Sequence, residues 1–239
     1  MARIFRINGT GALPVLLIAL FVILLVLLIP LLILGVAGAA FARLGFSWPE
    51  AIAVIILMIV GYFINIPVWT FRNSGPDAGS GDAAVFDAFT GEPVGDGQEP
   101  AVLSINIGGA VIPVAVSGYL LYVADTVSAG TLFVPIGICF AVIALIVAAT
   151  TRFSPGWGAG APLFVPAIAA VACGLLLNGG TGLEAAVTAF VGGILGILFG
   201  TGAVLLMKGK QAGIRQISIG GSGMFGPIFL CALVSALIA

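Results

Sequence analysis

Long apolar stretches separated by short polar segments dominate the chain. A helix needs about 20 consecutive apolar residues to cross a hydrocarbon core of about 30 Å. The pattern predicts an all-α integral membrane protein, a bundle of about seven transmembrane helices. The predicted spans are residues 13–41, 49–70, 104–124, 129–151, 160–178, 183–207 and 217–239.

The third of these stretches has two interpretations, because Asn106, Gly108, Gly109 and Pro113 crowd its first turns. A re-entrant segment would carry similar residues. The positions of Lys and Arg decide between the two, since cytoplasmic loops collect these side chains. With seven full crossings and a cytoplasmic N-terminus, only Arg43 of the 8 basic residues lies outside the cell. We therefore predict a multi-pass protein of the plasma membrane whose C-terminus is outside.

Composition supports a single transmembrane domain over residues 1–239. Hydrophobic residues make up 61% of the chain and charged residues 7%, whereas a soluble domain carries about 25% charged residues. The single long loop, residues 71–103, is acidic and rich in Gly, Ala and Pro. This composition is typical of a flexible cytoplasmic linker. The alternative is that it attracts cations or docks a partner.

The residue types needed for catalysis are largely missing. The sequence has no His, which excludes the commonest general acid or base near neutral pH. No predicted span has an Asp, Glu, Lys or Arg at its middle, and no nucleophile stands beside a base. The three cysteines, Cys139, Cys173 and Cys231, lie in separate apolar stretches without metal-ligand spacing and are interpreted as small buried residues. The sequence therefore indicates neither an enzyme nor a metal or other cofactor.

Helix-breaking and polar residues concentrate in one half of the predicted membrane, the cytoplasmic half. A proline in a membrane helix leaves a carbonyl that another group must satisfy. Transporters often build their binding sites from helices that are broken in this way. The candidate residues for a substrate pathway are Asn65, Pro67, Asn106, Gly108, Gly109, Pro113, Thr201, Ser218, Gly220, Gly221 and Ser222.

Close packing is the alternative explanation for the small residues, because glycine lets membrane helices approach one another. Gly192, Gly196 and Gly200 have the spacing of a packing face, and packing is the preferred role for them. For Asn65 and Asn106 the pathway and structural interpretations both stay open, since an amide in a membrane needs a partner in either case.

Three segments carry a family resemblance: Gly61 to Pro67, Asn106 to Pro113 and Ser218 to Phe225. In this order and spacing they resemble the uncharacterised prokaryotic, largely archaeal, membrane family called domain of unknown function 1614. The resemblance implies a polytopic membrane protein and no established activity. A short internal similarity also exists, because Ser104-Ile-Asn-Ile-Gly-Gly opens the third span and Ser218-Ile-Gly-Gly opens the seventh.

Two functions are compatible with this pattern. The first is a transporter or channel-like carrier of a small solute or ion. The alternative is a non-catalytic integral subunit or assembly factor of a larger membrane complex. The expected partners are the lipid bilayer and either partner membrane proteins or further copies of the chain, and nothing in the charge balance of −1 points to nucleic acid.

Overall fold

The computed structural model of the chain describes residues 12–71, 101–128, 130–154, 158–208 and 216–239. Within these ranges it consists of seven α-helices, one π-helical turn and five short strands. In chain order the elements are α1 Ala12–Arg43, α2 Trp48–Gly61, β1 Asn65–Phe71, β2 Ala101–Asn106, the π-helical turn Ile107–Val111, α3 Ile112–Ser128, α4 Phe133–Thr150, β3 Arg152–Ser154, β4 Gly158–Gly160, α5 Val165–Leu177, α6 Leu183–Lys208, β5 Gln216–Ile219 and α7 Phe225–Leu237.

The helical class predicted from the sequence is confirmed. Four helical segments are long and apolar enough to cross a membrane, and they are Val15–Arg43, Ile107–Thr126, Phe133–Thr150 and Leu183–Met207. The helices α2, α5 and α7 have 14, 13 and 13 residues. At 1.5 Å per residue each is about 20 Å long, which is less than the membrane core.

The helix predicted over residues 49–70 is wrong in its second half, because α2 ends at Gly61 and Asn65–Phe71 is a strand. Pro67 forces the preceding residue toward an extended conformation. The residues that follow are β-branched or aromatic and fit a strand. Apolar content therefore identified the segment but not its local conformation.

The predicted start of the seventh helix, residue 217, is also wrong. Residues Gln216–Ile219 form β5, and Gly220 and Gly223 have φ angles of 81° and 87°. These left-handed conformations interrupt a right-handed helix, so α7 begins only at Phe225. In the third predicted span, strand β2 lasts to Asn106, and a continuous helical segment then follows from Ile107 to Ser128. Its part Ile107–Thr126, 20 residues, is long and apolar enough to cross a membrane.

Helix α6 lies at the centre of the bundle and packs against α3, α4, α5 and α7. Along one side, Gly192, Gly196 and Gly200 let α4 approach so closely that an added Cβ would meet Cys139, Ile143 or the backbone of Ala144. On another side, Gly193 faces Cys231 of α7 and Ala170 of α5. These contacts agree with the packing role expected for the glycine series.

Among the residues that the structure describes, helix α1 packs against the bundle through its C-terminal part. Ala37, Ala40 and Phe41 are buried, and the Phe41 ring meets the edge of the Phe190 ring at 5.9 Å. The Arg43 guanidinium donates a hydrogen bond to the Leu237 carbonyl at the end of α7, at 3.4 Å. By contrast, the side chains from Val15 to Ile33 are exposed on every side of the helix.

The strands form two small sheets. In the first, β2 lies between β1, to which it is antiparallel, and β5, to which it is parallel. In the second, β3 and β4 form a hairpin. The Ala161 backbone N–H, directly after β4, donates to the Gly223 carbonyl at 3.1 Å, which joins the hairpin to the turn before α7. The strands thus gather at one end of the bundle. Residues 72–100 of the predicted acidic loop lie outside the described residues.

Candidate functional site

The three-stranded sheet has a polar face formed by alternate residues. Asn65 of β1 is paired with Asn106 of β2, and Ser104 of β2 is paired with Ser218 of β5. Because side chains two positions apart point to the same face of a strand, these four lie together. We call them the amide cluster. The cluster stands where α2 ends and where the segments leading into α3 and α7 begin.

Asn106 is the centre of the amide cluster and is fully buried. Its Nδ2 group donates to the Tyr62 carbonyl at 2.6 Å and to the Asn65 side-chain oxygen at 3.0 Å. Its Oδ1 accepts from the Gly109 backbone N–H at 2.8 Å and so caps the π-helical turn. Both amide N–H donors and one acceptor site of Asn106 are thereby used, which joins α2, β1 and α3.

Asn65 makes contacts of a different kind. Its Oδ1 accepts from Asn106 and also from the Ser218 hydroxyl, at 2.6 Å. These two bonds fix which end of the amide is oxygen. Among the residues that the structure describes, no acceptor meets the two N–H groups of Asn65, and the side chain is only partly buried. Within the described part of the chain, Asn65 therefore offers two hydrogen-bond donors at the edge of the cluster.

Glycines bring the surrounding backbones into direct contact. A Cβ on Gly108 would collide with the Met58 carbonyl oxygen and the Tyr62 nitrogen of the α2 terminus. A Cβ on Gly109 would collide with the Gly220 carbonyl oxygen, and Gly220 itself faces the backbone of Gly109. The start of the α3 segment is thus wedged between the end of α2 and the turn before α7. No side chain separates them.

Of the remaining candidate residues, some lie near the amide cluster and others do not. Gly221 lies against the Ser218 side chain. Pro113 is buried in the first turn of α3, and its carbonyl accepts from the Ser117 hydroxyl at 2.8 Å. Pro67 is exposed on β1 and Ser222 is partly buried in the turn. Thr201 is buried in α6, where its hydroxyl donates to the Ile197 carbonyl of the same helix at 2.8 Å, so the structure does not link it to the amide cluster.

Three residues at the site were missed from the sequence. Tyr62 supplies a carbonyl to Asn106, and its ring lies 4.6 Å from that of Phe225. Met224 accepts the Gly220 N–H through its sulfur at 3.2 Å. Ser104 is buried within the sheet. Tyr62 and Met224 lie within the segments that carry the family resemblance. Ser104 is aligned with Ser218 by the internal similarity, and the two strands pair in that register.

The chemistry available here is hydrogen bonding without charge. The four cluster side chains are amides and hydroxyls, and among the described residues no group of three or more His, Cys, Asp or Glu could hold a metal ion. The segments that lead into α3 and α7 both direct the start of a helix toward the sheet, and helix N-termini carry a partial positive charge. The arrangement can recognise a solute with hydrogen-bond acceptors.

A family model described as a protein of unknown function, DUF1614, matches residues 59–238. The chain belongs to the DUF1614 family. No curated protein matches the chain, and no solved structure does.

The DUF1614 match contains the whole amide cluster and all the glycines that pack around it. It begins near the end of α2, so α1 and most of α2 lie before it. The family resemblance seen in the sequence is confirmed by this match. Its three segments are those that meet at the sheet, which gives the resemblance a structural basis within the DUF1614 region.

Proposed function

We propose that this DUF1614 protein is a multi-pass carrier for a small solute or ion, and that the amide cluster is part of its pathway. The observation that carries the proposal concerns Asn65: among the described residues, no acceptor meets its two N–H groups. Asn65 lies where helices give way to strands. Irregular backbone at membrane depth is tolerated where it is buried in protein or lines a water-filled cavity. Broken helices with their N-termini at such a point are a recurrent design of transporters.

The proposed topology has seven crossings with the N-terminus in the cytoplasm and the C-terminus outside, in the plasma membrane. Its support is the distribution of basic residues and the gathering of all the described strands at one end of the bundle. In this arrangement that end faces the cytoplasm, together with the acidic segment 71–103. The strands next to α2 and α7 add the length that those short helices lack.

The absence of charge in the amide cluster limits the mechanism that we propose. A proton-coupled carrier needs an ionisable group in the membrane. Asn65, Asn106 and the two serines cannot supply it, since none of them titrates near neutral pH. We propose movement of the solute down its own gradient. Asn65 donates hydrogen bonds, while Asn106 holds the surrounding backbone in place.

Changing Asn65 to Asp tests this role, because the carboxyl oxygen that replaces Oδ1 still accepts from Asn106 and Ser218 while the two free donors are lost. We expect flux to fall by about tenfold, the effect of losing about 1.4 kcal/mol of favourable interaction. The measurement is stopped-flow light scattering of proteoliposomes challenged with glycerol, urea, alanine or potassium nitrate.

Asn178→Asp is the matched control, because it makes the same change outside the amide cluster and likewise removes amide donors. Flux per folded molecule through this variant should stay near that of the wild type. Equal flux in Asn65→Asp and wild type contradicts the proposal. So does wild-type flux no greater than that of protein-free vesicles for every probe.

The second candidate function is a non-catalytic subunit or assembly factor of a larger membrane complex. Two observations favour it. The glycine series of α6 is occupied by internal packing, and α1 presents bare apolar side chains from Val15 to Ile33. A helix of this kind can pack against a neighbouring protein as well as against lipid.

Purification in a mild detergent separates the two functions. If the chain is a carrier, we expect it to elute as a monomer or homo-oligomer, and mass spectrometry should find no other protein in stoichiometric amount. A stoichiometric partner that is lost when α1 is replaced by an unrelated apolar helix supports the subunit function instead and contradicts the carrier proposal.

A further inference from the structure

The end of α2 continues into an exposed apolar surface on β1. The side chains of this surface are between 46% and 68% exposed, and the surface, here called the β1 surface, consists of Phe63, Ile64, Ile66, Val68 and Trp69. β1 is the edge strand of its sheet, and of the described strands β2 alone pairs with it, along one edge. Large apolar surfaces of this kind need a partner or a membrane.

The β1 surface is continuous with the apolar outer face of α2. Ile56, Leu57, Ile59 and Val60 of that helix are also about half exposed. The 14 residues of α2 extend about 20 Å, about 10 Å short of a hydrocarbon core of about 30 Å. Residues 62–64 continue the path as a turn, and the first residues of β1, at about 3.3 Å per residue, bring the segment to the boundary.

Two tryptophans delimit this segment. Trp48 begins α2 and is 49% exposed, and Trp69 lies on β1 and is 67% exposed. Tryptophan is enriched at both interfaces between a membrane and water, where its ring is in apolar surroundings and its N–H meets polar groups. The positions of Trp48 and Trp69 are those expected at the two boundaries of one crossing.

The backbone of β1 favours a position at the lipid–water interface over one deeper in the hydrocarbon core. An open strand edge is not tolerated where only lipid chains surround it, but headgroups and water can bond to it at the boundary. Pro67 has no backbone N–H, and the pairing with β2 is irregular between Pro67 and Trp69. Proline and bulges on an edge strand also oppose pairing with another strand, including one from a second copy of the chain.

We infer that β1 lies in the lipid–water interface, where the β1 surface contacts acyl chains and Trp69 marks the headgroup boundary. Residues 48–69 thus cross the membrane as a helix followed by a strand. The inference rests on this crossing, which belongs to the proposed topology, and is independent of transport. Its occupant is the lipid bilayer.

Fluorescence quenching in proteoliposomes tests the position of Trp69. The chain has 3 tryptophans, so the double variant W48F/W157F keeps Trp69 alone. The two quenching lipids carry bromine near the headgroup end or near the methyl end of their acyl chains. We expect the first lipid to remove most of the Trp69 emission, the second to remove little, and aqueous iodide to have a weak effect.

The double variant W69F/W157F keeps Trp48 and serves as the control for the crossing itself. Shallow quenching of Trp48 shows that the far end of the segment is also at a boundary. If Trp48 is not quenched by either lipid, the crossing and hence the topology is wrong. Suppose that Trp48 behaves as expected. If Trp69 is then quenched mainly by iodide, β1 is in water, and if it is quenched mainly by the deep bromine, β1 is in the hydrocarbon core. If neither quenches Trp69, β1 is covered by protein. Each of these results overturns the inference.

A second measurement uses the wild-type chain and so does not depend on the folding of the variants. Lipids with a photoreactive group near the headgroup should form adducts that mass spectrometry locates within residues 63–69. Cross-links between two copies of the chain in this segment, without lipid adducts, contradict the inference in favour of a strand-to-strand contact.

Discussion

Replacing Gly109 with Ala should prevent the chain from reaching its folded state in detergent or lipid. The added Cβ collides with the carbonyl oxygen of Gly220. Neither atom can rotate away, because the Cβ is fixed to its own backbone and the oxygen belongs to the other. Over-packing of a core commonly costs about 1 to 3 kcal/mol, and here the sheet and α3 would have to separate, so we expect a larger loss. The measurement is the yield of monodisperse protein, with the thermal unfolding midpoint of any that folds.

Gly118→Ala is the matched control, since it is the same change on the same α3 segment. At that position an added Cβ meets nothing within 4 Å. We expect a yield equal to that of the wild type and a small gain in stability, because alanine is a better helix former than glycine by about 1 kcal/mol. Similar behaviour of the two variants would show that the contact between Gly109 and Gly220 does not hold the fold together.

Asn106→Leu should destabilise the protein by about 3 to 5 kcal/mol. The change removes three hydrogen bonds, each worth about 1 kcal/mol, and leaves the Tyr62 carbonyl and the Gly109 N–H without those partners. Leucine fills a similar volume, so the loss reports the polar contacts rather than a cavity. A fall in the thermal unfolding midpoint, followed by circular dichroism in detergent, is the measurement.

The same substitution at Asn178 provides the comparison. Asn178 bonds to the Gly174 carbonyl at 2.8 Å and to the Thr188 hydroxyl at 3.1 Å, and it is only partly buried. Its replacement should cost less than half as much as that of Asn106. An Asn106→Leu protein as stable as Asn178→Leu would contradict the structural role of Asn106. It would also contradict the proposed division in which Asn106 holds the backbone and Asn65 donates hydrogen bonds to the solute.

The sequence predicted the helical segments well because apolar length is the dominant signal in a membrane chain. It failed at Asn65–Phe71 and Gln216–Ile219, where hydropathy is also high but the chain is extended. Hydropathy alone cannot separate the two conformations over so few residues. The proline of β1 and the glycines after β5 contain the missing information, because a proline makes the residue before it extended and the glycines adopt left-handed conformations.

The candidate site was also predicted only in part from the sequence. Asn65, Asn106 and Ser218 were selected from the sequence and are joined by hydrogen bonds. Nothing in the sequence indicated that Asn106 uses both of its N–H groups internally, whereas no acceptor among the described residues meets those of Asn65. That difference depends on the register of β1 against β2, which is a long-range property. Thr201 is polar, but its hydroxyl donates a hydrogen bond to a carbonyl of its own helix, as threonine hydroxyls in helices commonly do.

The order of strands in the sheet also constrains how the protein assembles during synthesis. The Asn65 and Asn106 side chains that bond to each other are 41 positions apart, whereas Ser218 and Asn65 are 153 positions apart. Contacts between distant positions form late, since the intervening chain must be made and placed first. The β1–β2 pair can therefore exist early with its β5 side open. A nascent chain in which β5 has not yet been made would present this open edge to chaperones and proteases, so pairing of β5 with β2 completes the sheet and ends that exposure.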